Sequence, residues 1–326
     1  VCDCLIVCLI TMADKNEKKY KRVRNDEYHE EDDIMELGGL EDENPYLPPF
    51  FQWNSFTVYV TVVEIIYFVA SLLVRKEKPN FTFDKYLEPP ACALYVLGAK
   101  WTSAIRYDMA LHRLILPVFL HGGLFHILSN ILCQIYLGFL VEKAMSSTEL
   151  SIKVFNSEIT FIGSLKVGVI YFVSSIGGVL LSAVGDSMQL TIGASCAVCG
   201  LIGVLCSFLF LIWMKFLAPS CFCWNDGNRK DIQLFRALCI FSILVAFLTG
   251  LSGILTPATD NLGHLGGFLI GFTFAPALMP AISSSSNYLI VRNYRKISFF
   301  VSMAYFVAMF YTLYTMRVNR VIFKCD

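Results

Sequence analysis

The sequence is short of charge. Only 16% of its 326 residues are Asp, Glu, Lys or Arg, where an ordinary soluble domain carries about 25%. The 26 basic residues cancel the 26 acidic ones, so a nucleic-acid binder driven by bulk charge is excluded. With 56% apolar residues, a disordered chain and a soluble globule are excluded too. The alternating apolar and polar ten-mers of a membrane barrel are missing. So are EF-hand spacing in the acidic stretch, zinc spacing around Cys221 and Cys223, and any inverted repeat with paired broken helices. The 12 cysteines do not read as a disulfide framework, since Cys133, Cys196, Cys199, Cys206 and Cys239 lie inside apolar runs and behave as small hydrophobes. Cys221 and Cys223 read as an unmodified loop rather than a palmitoylation site.

What remains is a polytopic membrane protein, and its charge is unevenly spread. Residues 12–50 hold six basic and twelve acidic residues and read as a disordered cytoplasmic tail; 51–326 carry +7. Residues 1–11 are too short to span a bilayer and lack the marks of a signal peptide, so Met12 reads as the start. Seven apolar segments can each cross a hydrocarbon core of about 30 Å: 55–74, 118–141, 166–186, 195–217, 234–252, 258–280 and 298–316. Only helices or closed barrels span lipid, so the fold class is an all-α bundle. Basic residues in the loops after segments 2, 4 and 6 (Lys143, Lys153, Lys166; Lys215, Arg229, Lys230; Arg292, Arg295, Lys296) place those loops and the N-terminus in the cytoplasm. Arg75, Lys76 and Lys78, and Arg317, Arg320 and Lys324, argue the other way.

Polar side chains at membrane depth are costly and mark function. Three clusters stand at the external ends of their helices. His121-Gly-Gly-Leu-Phe-His126 leads into segment 2, with Asn130 four residues after His126 on the same helix face. Gly193-Ala-Ser195 opens segment 4, where unpaired backbone N–H groups favour a nearby oxyanion. In segment 6, His264, Gly267 and Gly271 form one stripe, and the two glycines allow backbone contact with Gly200 and Gly203 of segment 4. Singly, each feature reads as packing, a bundle hydrogen bond or an ion path. Jointly they supply a nucleophile (Ser195), a base (His264) and oxyanion donors (His126, Asn130, the N–H at Ser195). Asp260, one turn before His264, is the one candidate for a third member, and a Ser–His dyad is the simpler arrangement. Gln189 and Thr191 join the polar residues expected to line a wet cavity.

At these residues the sequence resembles the rhomboid intramembrane serine proteases. The family's GxSx appears as Gly193-Ala-Ser195-Cys196, its HxxGxxxG as His264…Gly267…Gly271, and its HxxxxHxxxN as His121…His126…Asn130. Arg113 matches the basic residue of the family's loop 1 signature, and Glu142 the cytoplasmic end of its second helix. The resemblance covers about 95–275. It implies a six-helix rhomboid-like core at 51–297 plus an additional transmembrane helix at 298–326, the layout of eukaryotic secretase members. It further implies Ser195 and His264 as catalytic pair; His126, Asn130 and Gly193 at the oxyanion and substrate; His121, Arg113, Glu142, Gly267 and Gly271 as support; and segments 2 and 5 as a lateral gate. Cys196, Cys199 and His112 stand where the family usually has Gly, an aromatic residue and Trp.

The expected activity is hydrolysis of a peptide bond in or beside the transmembrane helix of single-pass protein substrates in the bilayer, with no cofactor, metal or nucleic acid. The expected site opens to the lumenal or extracellular side of a secretory-pathway or plasma membrane. Two rivals stand beside this: a pseudoprotease that binds membrane helices and controls their trafficking or degradation, and a channel or transporter relaying through His and Asn. The sequon Asn80-Phe-Thr82 lies too near segment 1 to be used.

Overall fold

A computed structural model of the chain describes residues 51–74, 87–146, 150–154, 157–161, 163–216, 259–279, 289–317 and 319–325. The acidic tail, residues 1–11, segment 5 (234–252), the sequon, Cys221 and Cys223 lie outside the described residues.

The expected bundle is present. The helices are α1 (Phe56–Leu73), α2 (Ala91–Val96), α3 (Thr102–Tyr107), α4 (Leu124–Ser146), α5 (Gly163–Gly185), α6 (Ser195–Phe216), α7 (Asn261–Leu278) and α8 (Leu289–Thr315). Segments 1, 2, 3, 4, 6 and 7 correspond to α1, α4, α5, α6, α7 and α8. Among the described residues, four helices are long and apolar enough to cross a membrane: Phe56–Leu73, Leu124–Met145, Gly163–Gly185 and Asn293–Thr315. The chain is a multi-pass membrane protein of all-α architecture.

Three local departures from the expected spans are present. Segment 2 becomes helical only at Leu124, because two 3-10 turns (Leu111–Leu114 and Leu116–Phe119) and the Gly122-Gly123 pair precede it. α8 begins at Leu289, nine residues before the apolar run, since polar side chains do not prevent a helix from starting in water. A two-stranded antiparallel hairpin, β1 (Leu150–Val154) with β2 (Ser157–Phe161), fills the connection from α4 to α5, where no strand was expected.

The three central helices touch backbone to backbone. A Cβ added to Gly267 would stand 2.0 Å from the carbonyl oxygen of Cys196, and one on Gly271 2.0 Å from that of Gly200. On the other side of α7, a Cβ on Gly266 would meet the Gly177 carbonyl of α5 at 2.9 Å. α8 closes this group: Tyr305 donates to the Gly177 carbonyl at 2.8 Å and Ser302 to Thr273 Oγ1 at 3.2 Å. The apolar core runs between α1, α4, α5, α6 and α7, through Val60, Leu137, Ile170, Leu201 and Ala275.

The outer helices are joined by buried polar contacts. Besides the three clusters read from the sequence, α1 and α8 also carry buried polar groups. Glu64, in the middle of α1, is fully buried and accepts from Gln134 of α4 at 3.1 Å and from Tyr171 of α5 at 2.8 Å; the Tyr171 hydroxyl also lies against Gln134 Oε1, so its one proton is shared between the two acceptors. At the end of α4, Glu142 accepts from Thr57 N (2.8 Å), Thr57 Oγ1 and Ser164 Oγ (2.6 Å). Where lipid offers no hydrogen-bond partner, such contacts bind helix to helix. On α8, Ser302, Tyr305 and Arg295 all bond to α5 or α7.

One correction concerns cysteine. Cys92 of α2 and Cys325 are joined in a disulfide, with Cα atoms 5.2 Å apart. The two lie 233 residues apart in sequence, so no local spacing announces the pair.

Candidate active site

Ser195 is the first residue of α6. The chain reaches it through Gly193, whose φ of +116° is a backbone region that L side chains rarely adopt. The strand before it is pinned twice: Gly193 N donates to the Pro117 carbonyl at 2.8 Å, and Thr191 pairs with Lys100 in a two-way backbone bridge of 3.0 and 3.3 Å. Ser195 is thus presented at a helix N-terminus by a fixed turn.

His264 lies in the first turn of α7. Asp260 caps that helix, its Oδ1 accepting from Gly263 N at 2.8 Å. Because Gly267 and Gly271 leave no space between α7 and α6, the first turns of both helices are neighbours. His264 Nε2 lies 2.7 Å from Ser195 Oγ, within hydrogen-bonding distance. Among the described residues, His264 Nδ1 and Asp260 Oδ2 are both buried with no hydrogen-bond partner. The carboxylate of Asp260, the candidate third member, caps the helix instead.

His126 faces the same point from α4. Its Nδ1 accepts from Gly122 N at 3.2 Å, so the hydrogen-bond network assigns the proton to Nε2. A Cβ added at Gly193 would stand 2.9 Å from that Nε2 and 3.7 Å from Ser195 Oγ, so the imidazole and the hydroxyl flank the same glycine. An N–H donor therefore points at the strand leading to the hydroxyl. Asn130 is buried and donates to the His126 carbonyl at 2.9 Å, which fixes the turn carrying that imidazole. His121 is fully buried, edge-on to the His126 ring at 5.3 Å.

The remaining expected residues lie away from this point. Arg113 stacks over the Tyr95 ring at 4.0 Å and donates to the carbonyls of Tyr95 (2.7 Å) and Ala99 (2.8 Å), bracing the connection between α1 and α4. Glu142 ties α4 to α1 and to the start of α5. Gly267 and Gly271 form the α6–α7 seam. Thr191 is buried, and Gln189 contributes a carbonyl. Cys199 is buried one turn beyond the serine.

One residue near the site escaped sequence reasoning. Lys100 is completely buried, and its ammonium donates to the carbonyls of Asp186 (2.7 Å) and Gln189 (3.1 Å) and to Ser182 Oγ (3.1 Å). Burial pushes its pKa down to about 8, against the opposing pull of the Asp260 and Asp186 carboxylates. A lysine in a polar connection reads from sequence as solvated, and no local pattern marks this one.

Among the described residues, no group of three His, Cys, Asp or Glu side chains is placed to hold a metal. The geometry supplies a hydroxyl bonded to an imidazole, an N–H donor beside it, and orphan backbone donors at a helix start. Those are the parts of a serine hydrolase set among membrane helices.

Residues 108–281 match the Rhomboid domain family. Rhomboid-like protease 1 of Toxoplasma gondii is 29% identical over 226 residues, covering 69% of this chain and 64% of that protein. Rhomboid-like protease 3 of the same organism is 27% identical over 223 residues, 68% of this chain and 69% of that protein. RHOMBOID-like protein 7 of Arabidopsis thaliana is 26% identical over 241 residues, 69% of this chain and 66% of that protein. The chain thus spans about two thirds of the length of these relatives.

Proposed function

The chain belongs to the rhomboid family, and from that premise we propose that it is an active intramembrane serine endopeptidase acting on single-pass membrane proteins. The observation that carries the reading is the 2.7 Å contact between Ser195 Oγ and His264 Nε2, made by residues 69 positions apart.

In the proposed mechanism Ser195 Oγ attacks the scissile carbonyl while His264 Nε2 takes its proton. The tetrahedral oxyanion is held by His126 Nε2–H and the N–H at Ser195, on the positive end of α6. His264 then returns the proton to the leaving amine, and a water molecule repeats the sequence to release the acyl group. Asn130 supports the oxyanion donors by holding the His126 turn. The substrate's own helix must unwind near the site, since a helical backbone hides its carbonyls; small or helix-breaking residues therefore mark the cut.

The site faces the lumenal or extracellular side in this reading, and the N-terminus the cytoplasm. The disulfide between Cys92 and Cys325 supports that orientation. It lies on the same side of the bundle as the strand before Ser195, and disulfides persist in oxidising compartments.

The test is reconstitution in liposomes with a single-pass reporter. Wild type cleaves it and a fluorophosphonate labels Ser195; Ser195→Ala folds, neither cleaves nor labels. Cleavage at the normal rate by Ser195→Ala overturns the assignment. Absence of both cleavage and labelling in wild type favours a helix-binding pseudoprotease.

A further inference from the structure

The segment after α8 returns to the α1–α4 connection and is fastened to it along its length. Cys325 is bonded to Cys92. The Phe323 ring stacks on Tyr95 with centroids 4.5 Å apart and meets Trp101 edge-on at 5.3 Å. Trp101 Nε1 donates to the Val321 carbonyl, and Val321 N donates to Ser103 Oγ, both at 2.9 Å. Arg106 donates to the carbonyls of Met316 and Tyr314, and Arg320 pairs with Asp108 at 2.6 Å on the surface.

The groups that receive this segment also hold the catalytic strand. Tyr95 is sandwiched between Phe323 and the Arg113 guanidinium, whose Nη1 fixes the Tyr95 and Ala99 carbonyls. The next residue, Lys100, pairs with Thr191 by backbone and grips the α5–α6 turn through its buried ammonium. Thr191 is two residues before Gly193 and four before Ser195. A continuous line of packed rings and hydrogen bonds therefore runs from Cys325 to the turn that presents the hydroxyl.

We propose that the described residues after α8, 316–317 and 319–325, are a positioning strap: fastened by the Cys92–Cys325 disulfide, they hold α2 and Lys100 in the place that keeps the Thr191–Gly193 strand in register for catalysis. The inference rests on the proteolytic reading of Ser195 and His264. It extends that reading with a structural element no part of the dyad touches. α8 is anchored to α5 and α7 independently, through Tyr305 and Ser302. Opening the disulfide therefore frees the strap and α2 without removing α8 from the bundle. The bond is accessible, because Cys325 is exposed and Cys92 half-buried. A dithiol reduces it with two electrons and two protons, leaving two cysteine thiols and a cyclic disulfide of the reductant.

The experiment compares oxidised enzyme in liposomes with enzyme reduced by dithiothreitol and alkylated, mass gain at Cys92 and Cys325 establishing complete opening. Reduction is expected to lower kcat by about tenfold and the rate of fluorophosphonate labelling in parallel, with KM changed by less than about twofold, because the strand loses register while substrate docking is untouched. The double variant Cys92→Ser/Cys325→Ser is expected to start at the reduced level and ignore dithiothreitol. Phe323→Ala, with the disulfide intact, lowers kcat in the same direction. Unchanged kcat after complete reduction overturns the strap and leaves the protease standing, as does finding both thiols free in unreduced enzyme. Loss that appears only in KM, or only with unfolding, also overturns it. Oxidised wild type that neither cleaves nor labels overturns the proteolytic reading and the strap with it.

Discussion

Adding one methyl group at Gly267 should uncouple the dyad. The Cβ of Gly267→Ala would stand 2.0 Å from the Cys196 carbonyl oxygen, and ordinary contact begins near 3.4 Å. That obstacle is backbone, so no side chain can rotate away, and α7 must retreat from α6 by about 1.4 Å along that line. Cys196 adjoins Ser195, and Gly267 is one turn beyond His264. The same retreat takes the 2.7 Å Ser195–His264 contact to about 4 Å, beyond hydrogen-bonding reach. A displacement of that size costs about 10²-fold in turnover. The overpacking itself costs about 1–3 kcal/mol, which a marginally stable fold can survive. The assay is the initial rate on a single-pass reporter in liposomes, beside fluorophosphonate labelling and a thermal melt. Gly123→Ala is the matched control: its Cβ would meet Glu88 Cγ at 3.2 Å, the stem of a flexible side chain that can turn aside. Gly267→Ala retaining more than half of wild-type activity, or Gly123→Ala losing as much, would refute the reasoning.

Two further outcomes follow from buried charge. Glu142→Ala leaves the Thr57 and Ser164 donors without their acceptor and should cost about 2–4 kcal/mol, read as a lower melting temperature in detergent; an unchanged melt would show that the carboxylate is dispensable. Lys100 releases its proton near pH 8 when folded and near 10.5 when unfolded, so across that window the unfolded state binds more protons and stability rises with pH. The wild-type melting temperature should therefore climb from pH 8 to 10 relative to Lys100→Met, and parallel curves for the two proteins would contradict this.

Much of the bundle was legible because lipid allows few solutions. An apolar run long enough to span must be helical, and six of the seven expected spans are described helices with ends within a few residues, apart from the starts of α4 and α8. The meeting of Ser195 with His264 was also readable, because Gly200, Gly203, Gly267 and Gly271 at helical spacing announce a close seam. What stayed hidden were partners with no periodicity. Glu64 is a lone acid in an apolar run, and Gln134 and Tyr171 are 70 and 107 residues away. Cys92 and Cys325 are separated by 233 residues, and nothing at either position signals the other. Lys100 looked like any lysine in a connection until the backbone bridge to Thr191 placed it inside. The basic residues after α8 opposed the charge-based orientation; the structure gives one of them a local partner, Arg320 bonding to Asp108.

The burial of Glu64 bears on how the protein is made. Leaving the ribosome before α4 and α5, α1 presents a carboxyl at its midpoint before the helices that bond to it exist. On insertion scales an acid at that depth costs about 2.5–3.5 kcal/mol, against a favourable 0.3–0.6 for each neighbouring Val, Ile or Phe. α1 can enter the bilayer on that balance, but it settles only when Gln134 and then Tyr171 arrive from later synthesis. Biogenesis of this molecule is thereby given a direction, in which α1 waits for helices made after it.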